Sequence, residues 1–188
     1  MQDLQSWQIA IIAIAGVVIL AAIAFWVSRH RRTRHLRDHF GPEYNRTIME
    51  TGSRRAAESE LARREERVRN LETRALSASD KQRFREQWVM CQAQFVDDPA
   101  GAVHAADGLL TDVLRARGYA ADNPYDRISD ISAAYPRHAT RYRFAEDLVT
   151  RHRRGQGSTE DLRKAFVHYR ALFDEILGGQ DEELKRAS

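Results

Sequence analysis

Histidine, cysteine and adjacent carboxylates are the residues of this chain best suited to chemistry, and it carries seven histidines and one cysteine. His35 and His39 stand four apart, the spacing that sets two metal ligands on one helical face. Arg32, Arg34 and Arg37 crowd the same two turns and repel a dication, and no Cys or carboxylate pair completes the set nearby. No metal is therefore expected. His152 and His168 are single histidines on helical patterns and read as packing or helix-end residues.

The paired acids have structural explanations. Asp97-Asp98 precedes Pro99, the arrangement of an N-cap followed by proline at the first helical position. Glu160-Asp161 falls in the first turn of a helix, where acids complement the dipole. Cys91 shares a stripe with Phe84, Trp88 and Phe95, which makes it a buried, inert thiol. Gly155-Gln156-Gly157-Ser158 offers free amides to an anion, yet a C-cap followed by an N-cap accounts for the same residues. No GxxxxGK[ST], strand-coupled GxGxxG, GxSxG or HExxH is present. No catalytic residue and no cofactor are assigned, and an enzyme is not expected.

The elements that carry these residues begin with a long apolar run. Residues 9–27 contain no charge, and only Gly16 falls outside the strictly apolar set. As a helix the run spans roughly 29 Å, about one bilayer core. Trp7 and Trp26 flank it as membrane-interface anchors. Residues 1–8 hold Asp3 and no Lys or Arg, unlike the basic start of a cleaved signal peptide, so an uncleaved anchor is favoured.

Arg29, Arg31, Arg32, Arg34 and Arg37 follow the run with no acid before Asp38. The positive-inside rule keeps that end in the cytoplasm and puts the N-terminus outside. The expected address is the bacterial inner (cytoplasmic) membrane, single-pass. The same arginines offer contact with anionic lipid. Beyond residue 37 the chain has 25 basic and 26 acidic side chains, so the sequence pI near 9.2 reports these arginines. It gives no ground for a nucleic-acid partner.

The remainder reads as helix, with no convincing period-2 alternation. Gly41-Pro42 breaks the first helix, and a short one runs to about Thr51 within a basic juxtamembrane segment, 28–52. A charged Arg/Glu helix follows in 53–78, capped by Ser53 and reaching about Arg74. Its thin stripe of Ala57, Leu61, Val68 and Leu71 is a candidate seat for a partner helix or a second copy, or else packs on the bundle.

Residues 79–177 form a helical bundle that starts at Ser79 or Asp80. Val103, Ala106, Leu110, Val113 and Leu114 line one helix, and Leu162, Phe166, Tyr169, Phe173 and Ile176 line the last. Gly178-Gly179 ends that helix, leaving 178–188 as a flexible tail. The expected fold class is all-α, with one transmembrane helix followed by a cytoplasmic bundle.

Four segments carry a family likeness: Phe40–Ile48 (FGPEYNRTI), Trp88–Pro99 (WVMCQAQFVDDP), Arg117–Tyr119 (RGY) and His168–Glu175 (HYRALFDE). They resemble an uncharacterised bacterial family of single-span membrane proteins with a helical soluble region. The likeness covers roughly residues 36–177 and is most specific in Trp88–Pro99. Asn45 stands where that family more often has Asp, so no carboxylate role carries over there. The resemblance implies the architecture and no activity. The functional expectation is a non-catalytic scaffold or regulatory module that binds the bilayer and a protein partner or itself. An anionic-lipid-binding surface sensor is the alternative.

Overall fold

Prolines and capping side chains divide this chain into helices. The computed structural model describes residues 3–187, with the side chains of Ile11 and of residues 14–178. Every element in it is a helix, and among the described residues there is no strand. Two compact units are formed, Met1–His39 and Phe40–Ser188.

The first unit is most of α1, Asp3–Phe40. Nothing between Asp3 and Phe40 interrupts it, since the segment lacks proline and holds a single glycine, Gly16. It stops where Gly41 and Pro42 withdraw a helical conformation and an N–H. The helix is long and apolar enough to cross a membrane. Its apolar side chains from Ile14 to Trp26 are exposed, Phe25 at 70% and Leu20 at 68%.

The second unit opens with α2, Pro42–Thr51, closed by Gly52 in the left-handed region (φ 70°), whose N–H meets Ile48 O at 2.9 Å. Ser53 caps α3, Arg54–Arg69, by accepting from Ala56 N at 3.1 Å. Helix α4, Ala78–Asp97, starts at Ser77. Asp98 accepts from Gly101 N at 2.9 Å to open α5, Pro99–Ala116. Asn123 opens α6, Pro124–Ala134, and Tyr135 precedes α7, Pro136–Arg153. Ser158 and Asp161 form the reciprocal box that starts α8, Thr159–Ala187.

Helices α4, α5, α7 and α8 enclose the main core. Trp88 lies 5.0 Å from Phe166 and 4.7 Å from Phe173 between ring centroids, and Tyr142 lies 5.7 Å from Tyr169. Each fully buried ring of this kind contributes about 2–3 kcal/mol of transfer energy. Helix α6 packs on α7 and on α3, and α2 packs on α3 and α7.

Three expectations need correction. Helix α3 ends at Arg69, not near Arg74, because the chain turns at Asn70 and Arg74 N bonds Arg117 O at 3.0 Å, across to the end of α5. The third helix is capped by Ser77, not Ser79 or Asp80: Ser77 Oγ accepts from Asp80 N at 3.0 Å and donates to its carboxylate at 2.7 Å. Helix α8 does not end at Gly178-Gly179. Glycine weakens a helix by about 1 kcal/mol relative to alanine without forbidding it, and Asp181–Ala187 are mostly good helix formers. Helices α2 and α3 belong to the same compact unit as the bundle, which for α3 is one of the alternatives left open by the sequence.

Candidate functional site

The residues singled out in the sequence fall in three places. The side chain of Trp7 lies outside the described residues. Trp26 is exposed and stacks on His30, with centroids 5.5 Å apart. Arg29, Arg31, Arg32, Arg34 and Arg37 are all exposed along the last turns of α1. Spacing of three to four residues puts several of them on shared faces, a dense positive stretch at the end of an apolar helix.

The stripe that begins on α3 takes the packed one of the alternatives its sequence leaves open. Ala57 and Leu61 are fully buried, and Val68 and Leu71 pack against the core of the second unit. A stripe two heptads long is covered by the chain's own helices, so it is not offered to a partner helix. Polar clamps hold α3 in place. Arg67 donates from Nε to Asp130 Oδ1 at 2.9 Å and from Nη1 to Asp126 Oδ1 at 2.8 Å, both on α6. Asp130, itself buried, also accepts from Ala120 N at 3.0 Å.

Two concave features lie in the second unit. One is a groove of about 350 Å³ between α4 and α5, bordered by Met90, Gln94, Gly108 and Leu109 with Cys91 behind them. Burial pushes the Cys91 thiol up, so it stays protonated at neutral pH. Outside the groove, α4 leaves Val89, Met90 and Val96 largely exposed.

The second feature has more chemistry. A recess of about 250 Å³ is lined by Arg46 of α2, Pro124, Arg127 and Ile128 of α6, and Tyr142, Arg143 and Glu146 of α7. Arg127 is nine-tenths buried: its side chain is 10% exposed. It donates to Thr111 Oγ1 and, at 3.4 Å, to Asp107 Oδ2, while its buried Nε has no partner among the described residues. Its guanidinium lies 5.7 Å from the centroid of the Tyr142 ring.

Tyr142 donates its phenol proton to Asp107 Oδ1 at 3.2 Å, and Tyr169 donates to Glu146. Burial, reinforced by Asp107 and Glu146, raises both phenols far enough to keep them protonated. Burial also raises the Glu146 carboxyl, with nearby Asp107 adding to the effect against the bond from Tyr169. Burial works against the charge of Arg127, but the neighbouring carboxylates of Asp107 and Glu146 offset it and the guanidinium stays protonated.

The recess is built from helix spacing that apolar periodicity does not register. Tyr142 and Glu146 are four apart on α7, as Asp107 and Thr111 are on α5, so each pair shares a face beside the apolar stripe. Apolar periodicity along the sequence does not single out Asp107, Arg127, Arg143 or Glu146. The available signal was a set of charged residues next to stripe positions on three separate helices. Chemically the walls present hydrogen-bond donors and a carboxyl, with no Ser, Cys or Lys nucleophile among the lining residues. Among the described residues no group of three His, Cys, Asp or Glu side chains is placed to hold a metal ion. No protein-family model, curated protein or solved structure matches the chain.

Proposed function

We propose that this chain is a single-pass protein of the bacterial inner membrane whose helical unit serves as a cytoplasmic, non-catalytic scaffold or regulatory module. The observation that carries this reading is α1, with exposed, uncharged apolar side chains from Ile14 to Trp26 and five exposed arginines after them. Exposed apolar surface of that extent is unfavourable in water and matches lipid. The arginines favour retention of their end in the cytoplasm. The bacterial setting rests on the resemblance of Phe40–Ile48 and Trp88–Pro99. Exposed Val89, Met90 and Val96 on α4 support an interaction role, with a protein partner or a second copy.

A reporter enzyme fused after Ser188 tests the orientation: one active only outside the cytoplasm is incompatible with it. Crosslinking in living cells, followed by identification of the adduct, tests for a protein partner. A second reading is favoured by the arginines themselves, each worth roughly 1 kcal/mol near an anionic leaflet. In it the chain senses anionic lipid. Residues 29–188 should then bind anionic vesicles at low salt and lose binding when the five arginines are changed to glutamine.

A further inference from the structure

We propose that the recess bounded by α2, α6 and α7 is a binding site for a small oxyanion, a carboxylate or phosphate, held by Arg46, Arg127 and Arg143. Three cations meet a single carboxyl on its walls. The charges are offset one by one, Arg46 by Glu50, Arg143 by Glu43 and Arg127 by Asp107, so what is unusual is the convergence of three guanidiniums on one recess and not an excess of positive charge. Each cation has a carboxylate partner, but the partners are so placed that they orient the guanidiniums without using them up.

Arg46 donates from Nε to Glu50 at 2.9 Å, and Arg143 donates from Nε to Glu43 at 3.0 Å. Neither Arg46 nor Arg143 has a further hydrogen bond from its terminal nitrogens among the described residues. A guanidinium tethered by Nε has its plane set and both terminal amino groups available, the geometry that grips carboxylate or phosphate oxygens in pairs. Arg127 supplies the deepest charge. Its carboxylate contact is long at 3.4 Å, and its enclosed Nε has no partner among the described residues, so Arg127 acts as a fixed charge behind the recess. Pro124 places the start of α6 at the same recess, where the dipole of its first turn adds positive potential.

The volume of about 250 Å³ lies just below the usual range for drug-sized sites and suits a metabolite-sized anion. Glu146 sets a second requirement. Its carboxyl and the Tyr142 hydroxyl oxygen add acceptors to the same lining, so the site favours an oxyanion with a neighbouring hydrogen-bond donor, such as a hydroxy acid.

The test is calorimetric titration of the full chain in neutral detergent with inorganic phosphate, succinate and malate, the last differing from succinate by one hydroxyl. Saturable binding of at least one probe is expected. It should weaken about tenfold in Arg46→Gln, which removes only a half-exposed arginine, and in Arg143→Lys, which keeps the charge and loses the fork. Arg163→Gln, at an exposed position near the start of α8, should bind as the wild type does. Tighter malate than succinate would identify a hydroxy acid, and preference for phosphate would identify a phosphate ester. Absence of saturable heat from all three probes overturns the site. So does equal weakening in Arg163→Gln, which would reveal bulk electrostatics, or unaltered affinity in Arg46→Gln and Arg143→Lys together.

Discussion

Arg143 on α7 reaches Glu43 on α2 across 100 residues of sequence, its Nε 3.0 Å from a carboxylate whose side chain is 2% exposed. The two partners are unequal, because the arginine retains contact with solvent and the carboxylate does not. Removing the arginine therefore strands a charge, whereas removing the charge leaves a guanidinium that can turn outward. Arg143→Ala should cost about 3–5 kcal/mol of stability, and Glu43→Gln, which keeps an acceptor oxygen, about 1–2 kcal/mol. Urea unfolding of the full chain in detergent measures both. A larger loss for Glu43→Gln than for Arg143→Ala contradicts the stranded-charge account.

Glu146 should make stability depend on pH in the opposite sense to a salt-bridged acid. Its carboxyl is raised, first by burial and then by Asp107 on α5; Tyr169 on α8, Arg127 on α6 and Arg153 on α7 act against the rise. The native state thus binds a proton more readily than the unfolded chain does. Stability contributed by this group is present at low pH and is lost as pH rises through the interval between the unfolded value and the raised one. Glu146→Gln, which cannot ionise, should raise the melting temperature at pH 7.5. The gain should shrink toward pH 4.5. A constant difference at both pH values would show that ionisation is not its cause.

Helix starts are legible where a proline or a capping box marks them, whereas the lone cap Ser77 of α4 hides among Ser77, Ser79 and Asp80. Pro42, Asp98-Pro99, Asn123-Pro124, Pro136 and the Ser158–Asp161 box all act locally, and each starts the helix that its chemistry implies. The end of α3 was not legible, because it depends on Arg74 meeting Arg117, a contact between distant segments. The length of α8 was misread for the converse reason: a glycine pair lowers helix propensity without fixing where a helix ends. The recess was hidden more deeply. Arg46, Arg127, Arg143 and Glu146 come from three helices, and only packing brings them to one wall. A charged residue beside an apolar stripe looks the same whether it faces water or a buried partner.

The stripe on α3 gives a direct measure of its role inside the chain. Leu61 is fully buried, so Leu61→Ala should leave a cavity and destabilise the second unit by about 2–5 kcal/mol. Met90→Ala, at an exposed position on α4, should fall within about 0.5 kcal/mol of wild type. Melts followed by near-ultraviolet circular dichroism report both, since Trp88 sits between Phe166 and Phe173. A tolerated Leu61→Ala would mean that α3 is only loosely attached and that its stripe is open to other chains.

The joint between α3 and α5 supplies the last expectation. Gly118 follows α5 with φ at 92°, a conformation that L side chains rarely adopt. A Cβ at that position would stand 2.8 Å from Glu72 O, backbone that cannot swing away as a side-chain tip could. The same segment is tied by the bond from Arg74 N to Arg117 O. Strain and crowding therefore act together, and Gly118→Ala should cost about 1–3 kcal/mol and loosen the 70–77 connection. Limited proteolysis reads the second effect, because Arg74 is an exposed tryptic site that local opening would make far more susceptible. Faster cleavage after Arg74 in Gly118→Ala, with cleavage after the exposed Arg163 unchanged, is the expected pattern. Equal acceleration at both sites would instead mean global destabilisation, and the joint would then have no separate role in holding the connection closed.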